Sequence, residues 1–106
     1  MKHVTLAQQS PSAWQEYQAI FSDGALPEKT KELVGLAVAA QIPCQYCIIA
    51  HTRLAKAGGA TDAEAKEAIA AAALTRKWST MLNGNAYDMA AFENSYPRPN
   101  PPTRTN

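Results

Sequence analysis

Apolar residues along this chain recur at helical rather than alternating spacing, and its elements follow from that pattern and its punctuation. Ser10 before Pro11 has the form of an N-cap with proline at the first helical position. Trp14, Tyr17, Ile20 and Phe21 then recur along a first helix expected to end near Asp23 and Gly24. Pro27 opens a second helix by the same logic, and its polar start, Glu28, Lys29, Lys31 and Glu32, leads into an apolar stretch from Leu33 to Ala40. The C-terminal half of that helix is expected to be largely enclosed. Pro43 disfavours helix at Ile42 and suits a first helical turn, which predicts a bend there and a third helix from about Pro43 to Lys56. Gly58-Gly59 ends it.

Thr61-Asp62-Ala63-Glu64 has the form of a capping box, in which the threonine oxygen and the glutamate side chain satisfy exposed backbone donors reciprocally. It predicts a fourth helix through about Leu74. Ala68, Ala70, Ala71, Ala72 and Ala73 carry little side-chain volume, so close approach of another backbone is expected there. Trp78, Met81 and Leu82 predict a further helical segment, interrupted at Asn83-Gly84-Asn85 and resumed through Tyr87, Met89 and Phe92. Tyr96-Pro97-Arg98-Pro99-Asn100-Pro101-Pro102 cannot sustain a helix and predicts an extended arm. No segment reads as a strand. The expected fold is all-α: a compact helical bundle around a helical hairpin, one domain over residues 1–96 with a proline-rich tail over 97–106.

Composition narrows the partners. Ten basic against nine acidic residues leave a net charge of +1, so there is no electrostatic footprint for nucleic acid or for an anionic membrane surface. Met1-Lys2-His3-Val4-Thr5-Leu6 lacks the apolar core of a secretory signal, which makes a cytoplasmic location the expectation. Leu33 to Thr52 contains no charged side chain, yet Gln41, Pro43, Gln45, Tyr46 and His51 interrupt it, so it reads as a buried hairpin rather than a membrane span. With 106 residues the achievable core is modest, and self-association would add to it.

The chemistry is concentrated in Pro43-Cys44-Gln45-Tyr46-Cys47. Cytosolic cysteines are seldom structural staples, and a Cys-x-x-Cys pair in the first turn of a helix meets unpaired amides and a dipole that favour thiolate. Residues three apart on a helix are neighbours, so the two sulfurs can bond to one another. His51 lies four residues after Cys47, one turn along the same face, and can take a proton or stabilise a thiolate. If the chain reverses near Ile42, Glu32 falls opposite the neighbourhood of His51 and can orient it. Glu32 is also the last acidic residue before the uncharged stretch, a candidate proton carrier. Tyr46, between the cysteines, is a packing residue or a wall of a substrate pocket, and Trp14, Trp78 and Tyr87 are packing or interface residues.

Glu32-x11-Cys44-x2-Cys47-x3-His51 resembles the active-site signature of the alkyl hydroperoxidase D-like, carboxymuconolactone decarboxylase superfamily, over a helical region from about Pro27 to Trp78. The resemblance implies a thiol peroxidase in which Cys47 attacks the hydroperoxide, Cys44 resolves it as a disulfide, and Glu32 with His51 relays protons. It also implies a homo-oligomer, a trimer or hexamer, with a thiol or protein electron donor and no bound cofactor. The family's better-studied peroxidases carry histidine where this chain has Tyr46, whereas its decarboxylase branch lacks the cysteine pair. Three other readings compete. One is a disulfide oxidoreductase or redox sensor on the same pair. Another is a zinc site of Cys44, Cys47, His51 and Glu32. The third is a non-enzymatic oligomeric helical module. A c-type haem would need histidine where Ile48 stands.

Overall fold

A computed structural model of the chain describes residues 6–99. Met1 to Thr5, with His3, and the arm beyond Pro99 lie outside the described residues. Among the described residues six α-helices follow one another: α1 Leu6–Gln9, α2 Pro11–Phe21, α3 Glu28–Gln41, α4 Gln45–Ala57, α5 Asp62–Gly84 and α6 Met89–Ser95. No strand occurs among the described residues, and the fold is all-α. The chain divides into two compact units, one ending at Leu74 and the other beginning at Thr75.

In the first unit α2 starts as its punctuation demands, with Ser10 Oγ accepting from the Ala13 amide at 3.3 Å. It ends at Phe21, and Lys31 Nζ donates to the Ile20 and Ser22 carbonyls at 2.8 Å each, tying that terminus to α3. The helical hairpin of α3 and α4 is the centre of the unit. Glu32, Gly35, Leu36 and Ala39 form the buried face of α3, at the i, i+3, i+4, i+7 spacing of one helix side, and Ala55 meets it from α4. Leu36 and Ala55 are wholly buried, and the small side chains at Gly35, Ala39 and Ala55 permit the two helices to approach closely.

Two expectations are corrected here. The second half of α3 is enclosed on one face only: Val34, Val38 and Ile42 are 53%, 54% and 64% exposed. An uncharged stretch signals an apolar neighbourhood but not which neighbour covers it, and in the single chain the hairpin covers one side. Pro43 is not in the first turn of α4. Cys44 is the N-cap, with extended backbone at φ −129 and ψ 102, and its Sγ accepts from the Cys47 amide at 3.1 Å. A side-chain acceptor completes a helix start better than a proline ring, so the helix begins one residue after Cys44.

Gly58 closes α4, with Gly59 at φ +103, a backbone region that glycine enters without a Cβ penalty. The capping box then forms: Thr61 Oγ1 accepts from the Glu64 amide at 3.1 Å, and Glu64 Oε1 from the Thr61 amide at 2.9 Å. The Thr61 amide, and after it Lys29 at 3.1 Å, hold the Glu64 carboxyl below its ordinary range. Thr61→Ala is expected to lower the unfolding free energy by about 1 kcal/mol, read from chemical denaturation, because an orphan amide loses its acceptor.

From this start α5 runs on well past Leu74 to Gly84, absorbing the separate segment expected around Trp78. Its interior carries no glycine or proline and four alanines in succession, so nothing in its local preferences stops it. Of the alanine-rich stretch Ala72 alone is buried, with Ala65 the other buried residue of α5; Gln41 Nε2 donates to the Ala72 carbonyl. In the second unit Asp88 caps α6 through the Ala91 amide at 2.8 Å, and Phe92 sits between the rings of Tyr87 and Tyr96 at 6.3 and 5.1 Å.

Candidate functional site

The site is assembled by α2, α3 and α4 of the first unit. Cys44 and Cys47 are joined by a disulfide across the amino end of α4, with a Cα–Cα separation of 5.2 Å, within the span such a bond requires. The N-cap position aims the Cys44 sulfur at the helix amides, where a thiolate released by reduction would be stabilised. One turn beyond Cys47 on the same helix stands His51.

Glu32 is 1% exposed, and its carboxylate is shared between two helices. Its Oε1 lies 2.7 Å from His51 Nδ1, and its Oε2 accepts a 2.6 Å hydrogen bond from the Tyr17 hydroxyl of α2. Two donors on two oxygens make an ionised carboxylate tolerable at this depth. The reversal at Ile42 thus sets Glu32 against His51, as the hairpin register implies. Tyr46 is 79% exposed in the first turn of α4.

Three further residues shape the site beyond those expected from the sequence. Tyr17 and Phe21 read as members of an apolar helix face. In the structure they extend a ring stack: Trp14 on Tyr17 at 5.4 Å, Tyr17 on Phe21 at 4.4 Å, and Phe21 on the His51 imidazole at 5.3 Å. Gly35 lies under the same imidazole, so close that a Cβ built on it would fall 2.7 to 2.9 Å from three ring atoms. The available hint was Tyr17 itself, since a tyrosine on an inward face brings a hydroxyl that seeks a partner.

Burial, then the hydrogen bond to Glu32 and its charge, hold the Tyr17 phenol well above its ordinary value of 10.0. Among the described residues no group of three or more His, Cys, Asp or Glu side chains is arranged to hold a metal ion. No described helix is long and apolar enough to cross a membrane.

Residues 9–90 match the carboxymuconolactone decarboxylase family, which covers most of the chain. The chain belongs to that family. Among curated proteins, the chain is similar to "Uncharacterized protein 4 in cox locus" of Paracoccus denitrificans, 38% identical over 68 residues, covering 64% of this chain and 61% of the relative. An uncharacterised protein of Cupriavidus necator is 35% identical over 69 residues, covering 61% of each. The chain spans about three-fifths of the length of these relatives. No solved structure matches it.

Proposed function

We propose that this carboxymuconolactone decarboxylase family protein is a thiol-dependent peroxidase that reduces an organic hydroperoxide at Cys47. The observation that carries the reading is one helix bearing a Cys44–Cys47 disulfide at its start and, a turn later, a histidine bound to a buried carboxylate. In the reduced chain the Cys47 thiolate attacks the terminal peroxide oxygen. The O–O bond breaks, the alkoxide leaves as an alcohol with a proton from His51, and Cys47 becomes a sulfenic acid. The Cys44 sulfur then bonds to Cys47 and water departs, so two thiols and one hydroperoxide give a disulfide, an alcohol and water. Glu32 orients the imidazole and balances its charge when protonated. An external thiol or protein donor restores the dithiol, and no bound cofactor is needed.

The exposed stripe of Val34 and Val38 on α3 with its C-cap Ile42 supports a homo-oligomer, with trimer and hexamer as the forms the family resemblance implies. A cytoplasmic setting suits a pair that must be reduced in each cycle.

A second reading rests on the Cys44 cap. Because Cys44 Sγ, not Cys47 Sγ, accepts the helix amide, the geometry also suits thiol–disulfide exchange led by Cys44. Mixing the reduced protein with an organic hydroperoxide and following free thiols and intact mass separates the two. Loss of both thiols and of two hydrogen atoms, with no added oxygen, is the expected result. Thiols that persist under hydroperoxide yet vanish with a small-molecule disulfide would replace peroxidase by exchange.

A further inference from the structure

Glu32 offers two oxygens to the buried face, and each has one donor: Tyr17 from α2 and His51 from α4. A carboxylate held at a single oxygen can rotate about its last torsion, which is broad and soft. Held at both, it cannot turn without breaking a bond in a buried place, where an unmet acceptor is costly. The state of His51 follows from this. With Oε1 as acceptor, Nδ1 carries the proton, so Nε2 is the basic nitrogen of the neutral ring. Nε2 has no hydrogen-bond partner among the described residues, and none of their buried side-chain nitrogens or oxygens is left unpartnered; Nε2 therefore reaches solvent.

We propose that Tyr17 is a positioning residue of this site: by donating its hydroxyl to Glu32 Oε2 it locks the carboxylate that selects the Nδ1–H form of His51, leaving Nε2 to exchange protons with the reacting groups. Its part in turnover rests on the peroxidase reading; its hold on the His51 tautomer does not. Tyr17 acts as a fixed donor and not as a proton carrier, because burial and Glu32 keep its phenol protonated far above neutral pH. The stack from Tyr17 through Phe21 to His51 holds the imidazole plane, and the hydroxyl sets its proton.

The test compares the full chain with Tyr17→Phe, which keeps the ring and its stacking, and with Phe21→Leu, which thins the stack and keeps the hydroxyl. Nitrogen-15 resonances of the imidazoles, with His51 distinguished from His3 by His3→Gln, report the tautomer, and hydroperoxide turnover is followed in parallel. Expected are a single Nδ1–H form in the wild type and in Phe21→Leu, and a mixture of both tautomers in Tyr17→Phe. Turnover of Tyr17→Phe should fall roughly tenfold, the order seen when a partner that orients a functional histidine is removed. An unchanged tautomer in Tyr17→Phe overturns the inference, whatever happens to turnover. A wild type that turns over no hydroperoxide refutes the peroxidase reading alone, and the tautomer comparison still decides the role of Tyr17.

If Tyr17→Phe does not fold, spectrophotometric titration of the wild type decides. One of the four tyrosines staying un-ionised well above 10.0 until the chain unfolds supports the bond to Glu32. The folded state then holds a proton that the unfolded chain releases, so stability falls as pH rises past 10.0. All four ionising together while the chain remains folded would overturn it.

Discussion

Gly35→Ala is expected to destabilise the protein by about 3 kcal/mol and to cripple turnover while leaving both cysteines untouched. Helix propensity alone predicts the opposite sign, since alanine in a helix interior is favoured over glycine by about 1 kcal/mol. The decisive fact is the position of the imidazole: the new Cβ would lie 2.7 Å from Cε1, 2.8 Å from Nδ1 and 2.9 Å from Nε2 of His51. The ring has little freedom to yield, with Glu32 on its Nδ1 edge and Phe21 stacked against it. Movement breaks the bond to Glu32 and leaves a carboxylate at 1% exposure with Tyr17 as its remaining donor. Loss of one partner from a buried pair costs about 3 to 5 kcal/mol, which outweighs the propensity gain. Denaturant unfolding with an unchanged slope reads the stability. A variant more stable than the parent would mean that His51 does not rest on Gly35.

Cys47→Ser is expected to remove hydroperoxide turnover altogether, a fall on the order of 10³-fold or more, because on the peroxidase reading Cys47 supplies the attacking electron pair. Cys44→Ser should behave differently. It retains the first step and stops there, accumulating a sulfenic acid on Cys47 that a cyclic diketone traps and that excess peroxide carries on to sulfinic acid. Intact mass after one equivalent of hydroperoxide distinguishes the two: one added oxygen in Cys44→Ser, none in Cys47→Ser. The contest between the two sulfurs is physical. The capping bond from the Cys47 amide favours thiolate at Cys44, whereas His51, one turn further on, favours Cys47. Complete loss of peroxide reactivity in Cys44→Ser, with reactivity kept in Cys47→Ser, would assign the attack to the capping cysteine.

Both predictions depend on features of differing visibility. The cysteine pair, the histidine one turn later and the distant glutamate are legible because spacing along one helix, and reflection through one bend, are nearly rigid geometry. Cys44 itself was harder to place. Proline and cysteine compete for the same helix start, and the winner is the side chain that accepts an amide hydrogen bond.

The strings of residues that punctuate helices are decided within one turn: Ser10 with Ala13, Thr61 with Glu64 and Asp88 with Ala91 each satisfy a neighbour three residues away. For this reason the all-α fold and the hairpin were readable from the chain. The length of α5 was not, since propensity gave no signal to stop and Trp78, Met81 and Leu82 suggested a new element where the helix merely continued. The partners of Tyr17 and Gly35 were not legible for a different reason. Tyr17 meets Glu32 across fifteen positions, and Gly35 meets His51 across a helix interface. A hydroxyl in an apolar face or a glycine in an apolar run looks the same whether it faces solvent, a neighbour or an imidazole. Only the packing of α2 and α4 against α3 selects among those surroundings, because burial and partnership belong to the approach of helices and not to the order of residues along them.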